Sequence, residues 1–83
     1  MPVTIRNAIV VGEPNWAPLE VVIPAAELGN FMFMGSVGEI ELYKHILTRR
    51  YLNISRDAQA FYRYLVGGYV EIPREEALDY VRR

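Results

Sequence analysis

The middle third of the chain, residues 40–65, decides the fold class. Its residue pattern fits either strands or helices, and the two give different folds. Read as strands, it divides into 40–46, 49–54 and 59–65, in which isoleucine, tyrosine, leucine, threonine and phenylalanine dominate. β-Branched and aromatic residues of this kind pack well on a pleated surface. This interpretation predicts three paired strands in the middle of the chain.

The competing interpretation is a mostly α protein with helices at 37–53 and 56–66. Apolar residues recur at helical spacing in both ranges, and a serine precedes each range as a potential N-terminal cap. Two observations favour strands. Adjacent aromatic residues lose rotamer freedom in a helix. In addition, Tyr69–Ile72 is a further strand-like run, and a strand needs a sheet to satisfy its backbone hydrogen bonds.

The flanking segments complete an α+β pattern. Val3–Val11 and Leu19–Ile23 are rich in β-branched residues and are predicted to be strands. A helix is predicted at 24–34, opened by Pro24, and another at 74–82, with glutamates in its first turn and arginines at its end. The predicted fold is therefore a small, mostly antiparallel sheet with these two helices.

Length and cysteine content limit the class of protein. Eighty-three residues are enough for one compact domain, 1–83, and not for two. The absence of cysteine excludes a disulfide scaffold, a thiolate metal site and a cysteine nucleophile, and it fits a reducing, cytoplasmic compartment. No apolar run approaches the ~20 residues of a membrane span, and the N-terminus lacks the pattern of a secretion signal. We therefore expect a soluble cytoplasmic protein that makes no membrane contact.

The apolar content predicts an interface. Hydrophobic residues make up 52% of the chain, and a domain this small must expose part of them, which a homodimer or a protein partner would cover. Four large apolar side chains stand in one run: Phe31, Met32, Phe33 and Met34. They cannot all face one core, so we predict an interface here, with Trp16 beside it. The alternative is burial between the sheet and a neighbouring loop, with Trp16 as a lid.

Charge is unevenly distributed along the chain, although the net charge is only −1. Residues 1–41 hold one arginine against five glutamates, whereas residues 42–65 hold five basic residues against one aspartate. The basic segment also carries aromatic rings, a combination typical of surfaces that stack single-stranded bases and hold phosphates. The residues predicted to contact an anion or a nucleic acid are Lys44, Arg49, Arg50, Tyr51, Phe61 and Arg63.

The register of the hairpin within this segment decides which residues share a face. One register places Arg50 opposite Arg63, which is unfavourable unless an anion lies between them. A three-residue turn instead pairs Leu52 with Tyr62 and needs no ligand. The nucleic-acid hypothesis places four side chains on one face of the sheet: Arg49, Tyr51, Phe61 and Arg63.

Catalytic chemistry finds little support in the sequence. His45 is the only histidine, and Glu41 lies four residues before it, close enough for an acid–base pair on a helix but not on a strand. No nucleophile-elbow serine, second histidine or aspartate cluster accompanies them. We therefore predict that His45 is structural, that there is no catalytic or metal-binding residue, and that the protein needs no cofactor.

Two function classes remain. The first is a non-enzymatic protein-interaction module, homodimeric or bound to another protein through Phe31–Met34 and Trp16. The second is a module that binds RNA or single-stranded DNA through residues 44–63. No enzymatic activity is predicted.

Overall fold

The computed structural model describes residue 9 and residues 11–83 of the chain. A short helix and a 3₁₀ helix come first, then five strands, then a closing helix. Their bounds are α1 Ala17–Val22, the 3₁₀ helix Ala25–Asn30, β1 Phe31–Val37, β2 Ile40–His45, β3 Tyr51–Ser55, β4 Phe61–Leu65, β5 Gly68–Ile72 and α2 Arg74–Arg82. This element order is that of a small α+β domain.

The five strands form one antiparallel sheet in which every strand pairs with the next strand along the chain. The predicted α+β class, the central strands and the C-terminal helix are confirmed. The alternative with helices at 37–53 and 56–66 is wrong, because those ranges contain β2, β3 and β4. Their β-branched and aromatic residues occupy paired positions on a sheet, as their shapes favour.

One predicted strand in the first half of the chain is wrong, and another lies almost wholly outside the described residues. The segment predicted as a strand at Leu19–Ile23 belongs mainly to α1, which has a proline in its first turn and buries Leu19 and Val22 on one side. This spacing of three residues is that of a helix face, so burial overrides the strand propensity of valine and isoleucine. The strand predicted at Val3–Val11 lies, apart from two residues, outside the described part of the chain.

The helix predicted at 24–34 is only half as long as expected. It is a 3₁₀ helix that ends at Asn30, and Phe31 is already extended. The carbonyl oxygen of Asn30 accepts a hydrogen bond from the backbone N–H of Ile46 over 2.8 Å, which extends the pairing of β1 with β2. The run Phe31–Met34 is therefore strand, and β1 supplies one edge of the sheet.

The main core lies between the helices and one face of the sheet. Its buried side chains are Leu19, Val22, Ile23, Phe31, Tyr43, Leu52, Ile54, Phe61, Ala77 and Val81. The Trp16 ring packs over this core, 6.2 Å from the ring centroid of Phe33 and 5.8 Å from that of Tyr43. Burial raises the pKa of Tyr43, and its hydroxyl donates to the backbone carbonyl of Asn15 over 2.6 Å. The tryptophan loop is thus fastened to the core.

A second, smaller cluster lies on the opposite face of the sheet. It contains the buried side chains of Val37, Ile40, Leu42 and Tyr69, with Met34, Tyr51 and Tyr62 half-buried against it. A bulge in β1 between Phe33 and Gly35 interrupts the pairing with β2 and leaves Met34 without a partner residue. The two faces therefore differ: helices cover one, while tyrosines surround the other.

None of the helices within residues 11–83 has the length and apolar character needed to cross a membrane.

Candidate functional site

The turn between β3 and β4 fixes the register of the hairpin. The hydroxyl of Ser55 donates to Asp57 over 2.6 Å and accepts from the backbone N–H groups of Gln59 and Ala60. A longer turn than predicted results, closed by a hydrogen bond from the N–H of Ser55 to the carbonyl of Ala60. Both predicted registers are therefore wrong, because neither took the serine side chain into account.

In the actual register, β3 and β4 pair at one end only. Ile54 lies opposite Phe61 and Asn53 lies opposite Tyr62, and the described ladder stops there. Continued pairing would bring Tyr51, the first residue of β3, opposite Tyr64 near the end of β4. Both neighbouring pairs of strands, β2–β3 and β4–β5, remain paired along their length. The sheet is thus open between β3 and β4 at this end.

A cavity of about 720 Å³ lies at this opening, within the range of about 300–1,000 Å³ that is usual for small-ligand sites. We call it the β3–β4 cavity. Its polar and aromatic lining consists of Arg49, Arg50, Arg63, Tyr51, Asn53, Tyr62, Tyr64, Tyr69 and Tyr80. These residues come from the β2–β3 loop, three strands and α2, so the whole second half of the fold contributes.

Tyr80 of α2 holds two of the arginines at the cavity. The guanidinium carbon of Arg50 lies 4.7 Å from the centroid of the Tyr80 ring, and that of Arg63 lies 4.8 Å from it. Arg50 also donates from Nη1 to the backbone carbonyl of Tyr80 over 3.4 Å. Such cation–π contacts contribute about 0.5–1 kcal/mol each at exposed sites. The ring therefore gathers two positive charges that would otherwise repel each other.

Among the described residues, no carboxylate in the cavity wall compensates the charge of the arginines. No aspartate or glutamate is among the described residues that line it. The arginines that form ion pairs within residues 11–83 are Arg56, Arg82 and Arg83, all outside the cavity. Arg49, Arg50 and Arg63 therefore line the cavity without a carboxylate partner among the described residues.

Asn53 borders the same cavity and has a buried acceptor without a partner among the described residues. Its side chain is buried, and its Nδ2 donates to the backbone carbonyl of Tyr62 over 3.2 Å. Its Oδ1 is buried and has no hydrogen-bond partner among the described residues. An unpaired buried acceptor costs about 1–3 kcal/mol, so its presence here calls for a reason.

Tyrosines dominate the walls. Tyr69 is buried, and its ring lies 5.2 Å from that of exposed Tyr64 at 65°, an edge-to-face arrangement. Burial, and to a lesser degree its neighbours Tyr64 and Tyr51, raises the pKa of Tyr69. Its phenol is therefore neutral at physiological pH and presents a hydroxyl rather than a second kind of charge.

The structure brings together four of the predicted anion-contact residues, Arg49, Arg50, Tyr51 and Arg63, around the β3–β4 cavity. Phe61 is not with them, because it is buried in the core, on the face opposite to Tyr51. Arg63 lies two residues after Phe61 in β4 and so on the same side as Phe61, which makes the predicted shared face wrong. Lys44 is not among the cavity residues, although its Nζ lies 5.9 Å from the centroid of the Tyr51 ring.

Sequence reasoning missed most of the tyrosines. Tyr62 and Tyr64 stand inside the aromatic segment and could have been included on composition alone. Tyr69 and Tyr80 lie further along the chain, and only the fold brings them to the cavity. No sequence pattern marks Asn53 as a site residue, because a single asparagine in a strand gains a role only from its neighbours in the fold.

The residues predicted as a protein interface mostly face inward. Phe31 is buried in the core, while Phe33 and Trp16 pack against it. Met34 packs half-buried against the second cluster, on the other face of the sheet. Only Met32 is exposed, at 46%. The strand sends its two phenylalanines to one side and its methionines to the other, as alternation requires.

His45 and Glu41 have separate structural partners. Nδ1 of buried His45 accepts from the backbone N–H groups of Leu47 and Thr48 at 3.1 and 3.2 Å, which shapes the β2–β3 loop. Glu41 is bound by Arg56 and by the hydroxyl of Ser36. They do not form an acid–base pair. Within the described residues, no three histidine, aspartate or glutamate side chains are grouped as metal ligands would be.

Comparison with known proteins found no relative: no family model matches the chain, and no curated protein or solved structure is significantly similar. The class is therefore defined by the fold and the cavity, as an α+β domain with an antiparallel meander and an Arg/Tyr-lined opening between two strands.

Proposed function

We propose that this chain is a small non-enzymatic binding module that holds single-stranded RNA or DNA at the β3–β4 cavity. The observation that carries the proposal is the grouping of three arginines in a cavity walled by tyrosines, with no carboxylate partner for them among residues 11–83. A ligand that suits this lining combines negative charge with flat rings. A single strand of nucleic acid has both, in alternation along its length.

Each part of the lining has a distinct task in this proposal. Arg49, Arg50 and Arg63 bind phosphate oxygens, for which the forked guanidinium geometry is well suited. The tyrosine rings stack on bases, which contributes about 1–3 kcal/mol per base in single-strand binders. A double helix keeps its bases stacked inside and cannot offer their faces to tyrosine. Preference for single strands over duplexes is therefore expected.

The test is a fluorescence anisotropy titration with labelled oligonucleotides at several salt concentrations. Binding by three phosphate contacts predicts that the logarithm of the affinity falls with the logarithm of the salt concentration, with a slope of about −2 for single strands. Arg63→Gln is expected to weaken binding. It should also make the slope shallower by about 0.7, the share of one phosphate contact.

Arg74→Gln is the matched control. Arg74 is an exposed arginine of α2 that does not line the β3–β4 cavity, so its replacement changes the net charge equally and leaves the site intact. Equal losses for Arg63→Gln and Arg74→Gln would indicate unspecific attraction and contradict the proposal. So would the absence of binding to any single strand at low salt.

A second candidate, a homodimeric protein-interaction module, is supported by exposed apolar residues in the turns at the open end of the sheet. Leu47 in the β2–β3 loop is 79% exposed, and Val66 in the β4–β5 turn is fully exposed. With Met32, they offer apolar contacts to another protein. Analytical ultracentrifugation over a wide concentration range tests this candidate. A dimer that dissociates in the Leu47→Ser variant supports it, and a monomer throughout contradicts self-association.

A further inference from the structure

We infer that the β3–β4 cavity receives one unstacked base, whose Watson–Crick edge donates an N–H to Oδ1 of Asn53. This inference deepens the proposed function and rests on it. It assigns to Asn53 the recognition of the base, which neither the charge of the arginines nor stacking on the tyrosines provides.

The orientation of the Asn53 amide is determined by its surroundings. Nδ2 donates to the carbonyl oxygen of Tyr62 over 3.2 Å. A flipped amide would place Oδ1 against that carbonyl, two acceptors facing each other without a proton between them. Oδ1 therefore keeps its place as the free group, and it can only accept.

Burial makes this free acceptor significant. Asn53 is 3% exposed, and its Oδ1 lacks a partner among the described residues although the residue lines the cavity. An exposed oxygen would be satisfied by water at no cost, whereas a buried one gains from any donor that reaches it. Oδ1 itself is closed to solvent, so a donor reaches it only when β3 and β4 separate further at the opening.

The opening between the strands begins beside Asn53. The ladder stops at the pair Asn53–Tyr62, and Tyr51 and Tyr64 line the cavity beyond it. A base that enters here stacks on a tyrosine while its edge points at Asn53, which stands where the strands begin to separate. Arg49 lines the same cavity and can hold an adjoining phosphate, whereas Arg63 lines it from the helix-covered face of the sheet.

The edge that fits is one with an N–H group. Thymine and uracil donate from N3, and this single proton can be removed chemically by N3-methylation, which leaves the ring and the phosphates in place. The site as a whole discriminates against a base that leaves its buried acceptor unpaired, just as binding sites reject analogues that lack an expected hydrogen bond.

The experiment compares oligo-dT with the same oligonucleotide built from N3-methylthymine. Wild-type protein is expected to bind the methylated strand about tenfold more weakly, the size of effect expected when one hydrogen bond is lost at a buried group. In the Asn53→Ala variant this difference is expected to disappear, because the acceptor is gone. Equal affinity of wild-type protein for the two strands would overturn the inference.

A second measurement needs no variant. The side-chain amide signals of Asn53 in a ¹⁵N-edited NMR spectrum are expected to shift with oligo-dT and to shift much less with the methylated strand. Identical shifts with the two strands would overturn the inference even if Asn53→Ala fails to fold.

The outcomes separate the inference from the proposed function. Binding of neither strand removes both. Equal binding of both strands removes the base reading alone and leaves a strand-binding module. Thymidine monophosphate bound as tightly as oligo-dT would support the base pocket while showing that its ligand is a free nucleotide rather than a strand.

Discussion

Arg56 donates from Nε to Oε2 of Glu41 over 2.9 Å, and Glu41 is only 2% exposed. The hydrogen bond to Glu41 raises the pKa of Arg56 above its ordinary value. Arg56 also donates from Nη2 to the carbonyl of Gly38 over 3.1 Å, and so ties the β3–β4 turn to the β1–β2 turn. One end of the sheet is thereby fastened, while the β3–β4 cavity lies towards the other.

Loss of Arg56 is expected to destabilise the fold, because a buried carboxylate is left with the Ser36 hydroxyl as its remaining side-chain partner. Thermal unfolding followed by circular dichroism should show a clear drop in Tm for Arg56→Met. The double variant Glu41→Met with Arg56→Met should unfold at a higher temperature than Arg56→Met alone, since paired apolar replacements remove the unpaired charge. A double variant less stable than Arg56→Met would contradict this account of the pair.

Replacing Arg49 with glycine should stabilise the fold and weaken oligonucleotide binding. Its φ is 65°, a left-handed conformation that costs a residue with a Cβ about 1 kcal/mol or more. Arg49→Gly is expected to raise the free energy of unfolding by about 1 kcal/mol while weakening oligonucleotide binding. Chemical denaturation measures the first effect and anisotropy the second.

Arg49→Ala is the comparison variant for this prediction. It removes the same cation but keeps the Cβ, so binding should weaken without a gain in stability. If both variants bind oligonucleotides as wild-type protein does, Arg49 has no part in the site.

The ring of Tyr80 should contribute both to stability and to affinity for single strands. Tyr80→Leu removes two cation–π contacts of about 0.5–1 kcal/mol each, so we expect a loss of about 1–2 kcal/mol in the free energy of unfolding. Affinity for single strands should fall as well, because Arg50 and Arg63 are no longer held at the cavity.

Tyr80→Phe keeps the ring and should preserve both stability and affinity. Denaturant titrations and anisotropy on the two variants provide the comparison. Equal behaviour of Tyr80→Leu and Tyr80→Phe would show that the ring does not position the arginines.

Asp57 makes a predictable contribution to acid sensitivity. A hydrogen bond from the Ser55 hydroxyl, aided by the backbone N–H of Gln59, lowers the pKa of Asp57 below 3.8. Because the folded state holds this proton less tightly than the unfolded state, the contribution is complete above pH ~4 and is lost as the pH falls through the folded-state pKa.

The Asp57 carboxyl can be followed directly by an NMR titration. We expect a midpoint below 3.8. The Asp57→Asn variant should lose less stability than wild-type protein between neutral and strongly acidic pH, because its side chain does not titrate. A midpoint at or above the ordinary value would contradict the turn geometry.

Sequence patterns predicted those elements whose structure is decided by residues close together in the chain. The final helix has proline at its start and charges that complement its dipole, and it was found at 74–82. Three of the strands were found in the middle because β-branched and aromatic residues dominate there and suit a pleated surface. Residues 19–23 have the same composition but form a helix, because the core accepts Leu19 and Val22 from one side.

The candidate site depended on information that no local pattern carries. A single hydroxyl, that of Ser55, sets the turn length and hence the face on which every residue of β4 lies. Tyr80 reaches Arg50 across thirty positions of sequence, through the packing of α2 on the sheet. The arginines could be predicted as a group from their charge, but Tyr69 and Tyr80, which only the fold brings to the cavity, could not.

The most direct test of the central claim is chemical-shift mapping of a single-stranded oligonucleotide on the ¹⁵N-labelled protein. Binding at the β3–β4 cavity predicts that the largest backbone amide shifts fall on Tyr51, Asn53, Tyr62 and Tyr64. Turn residues 56–59, at the fastened end of the sheet, should change little. Shifts confined to that turn or to β1, with the cavity residues unchanged, would contradict the account.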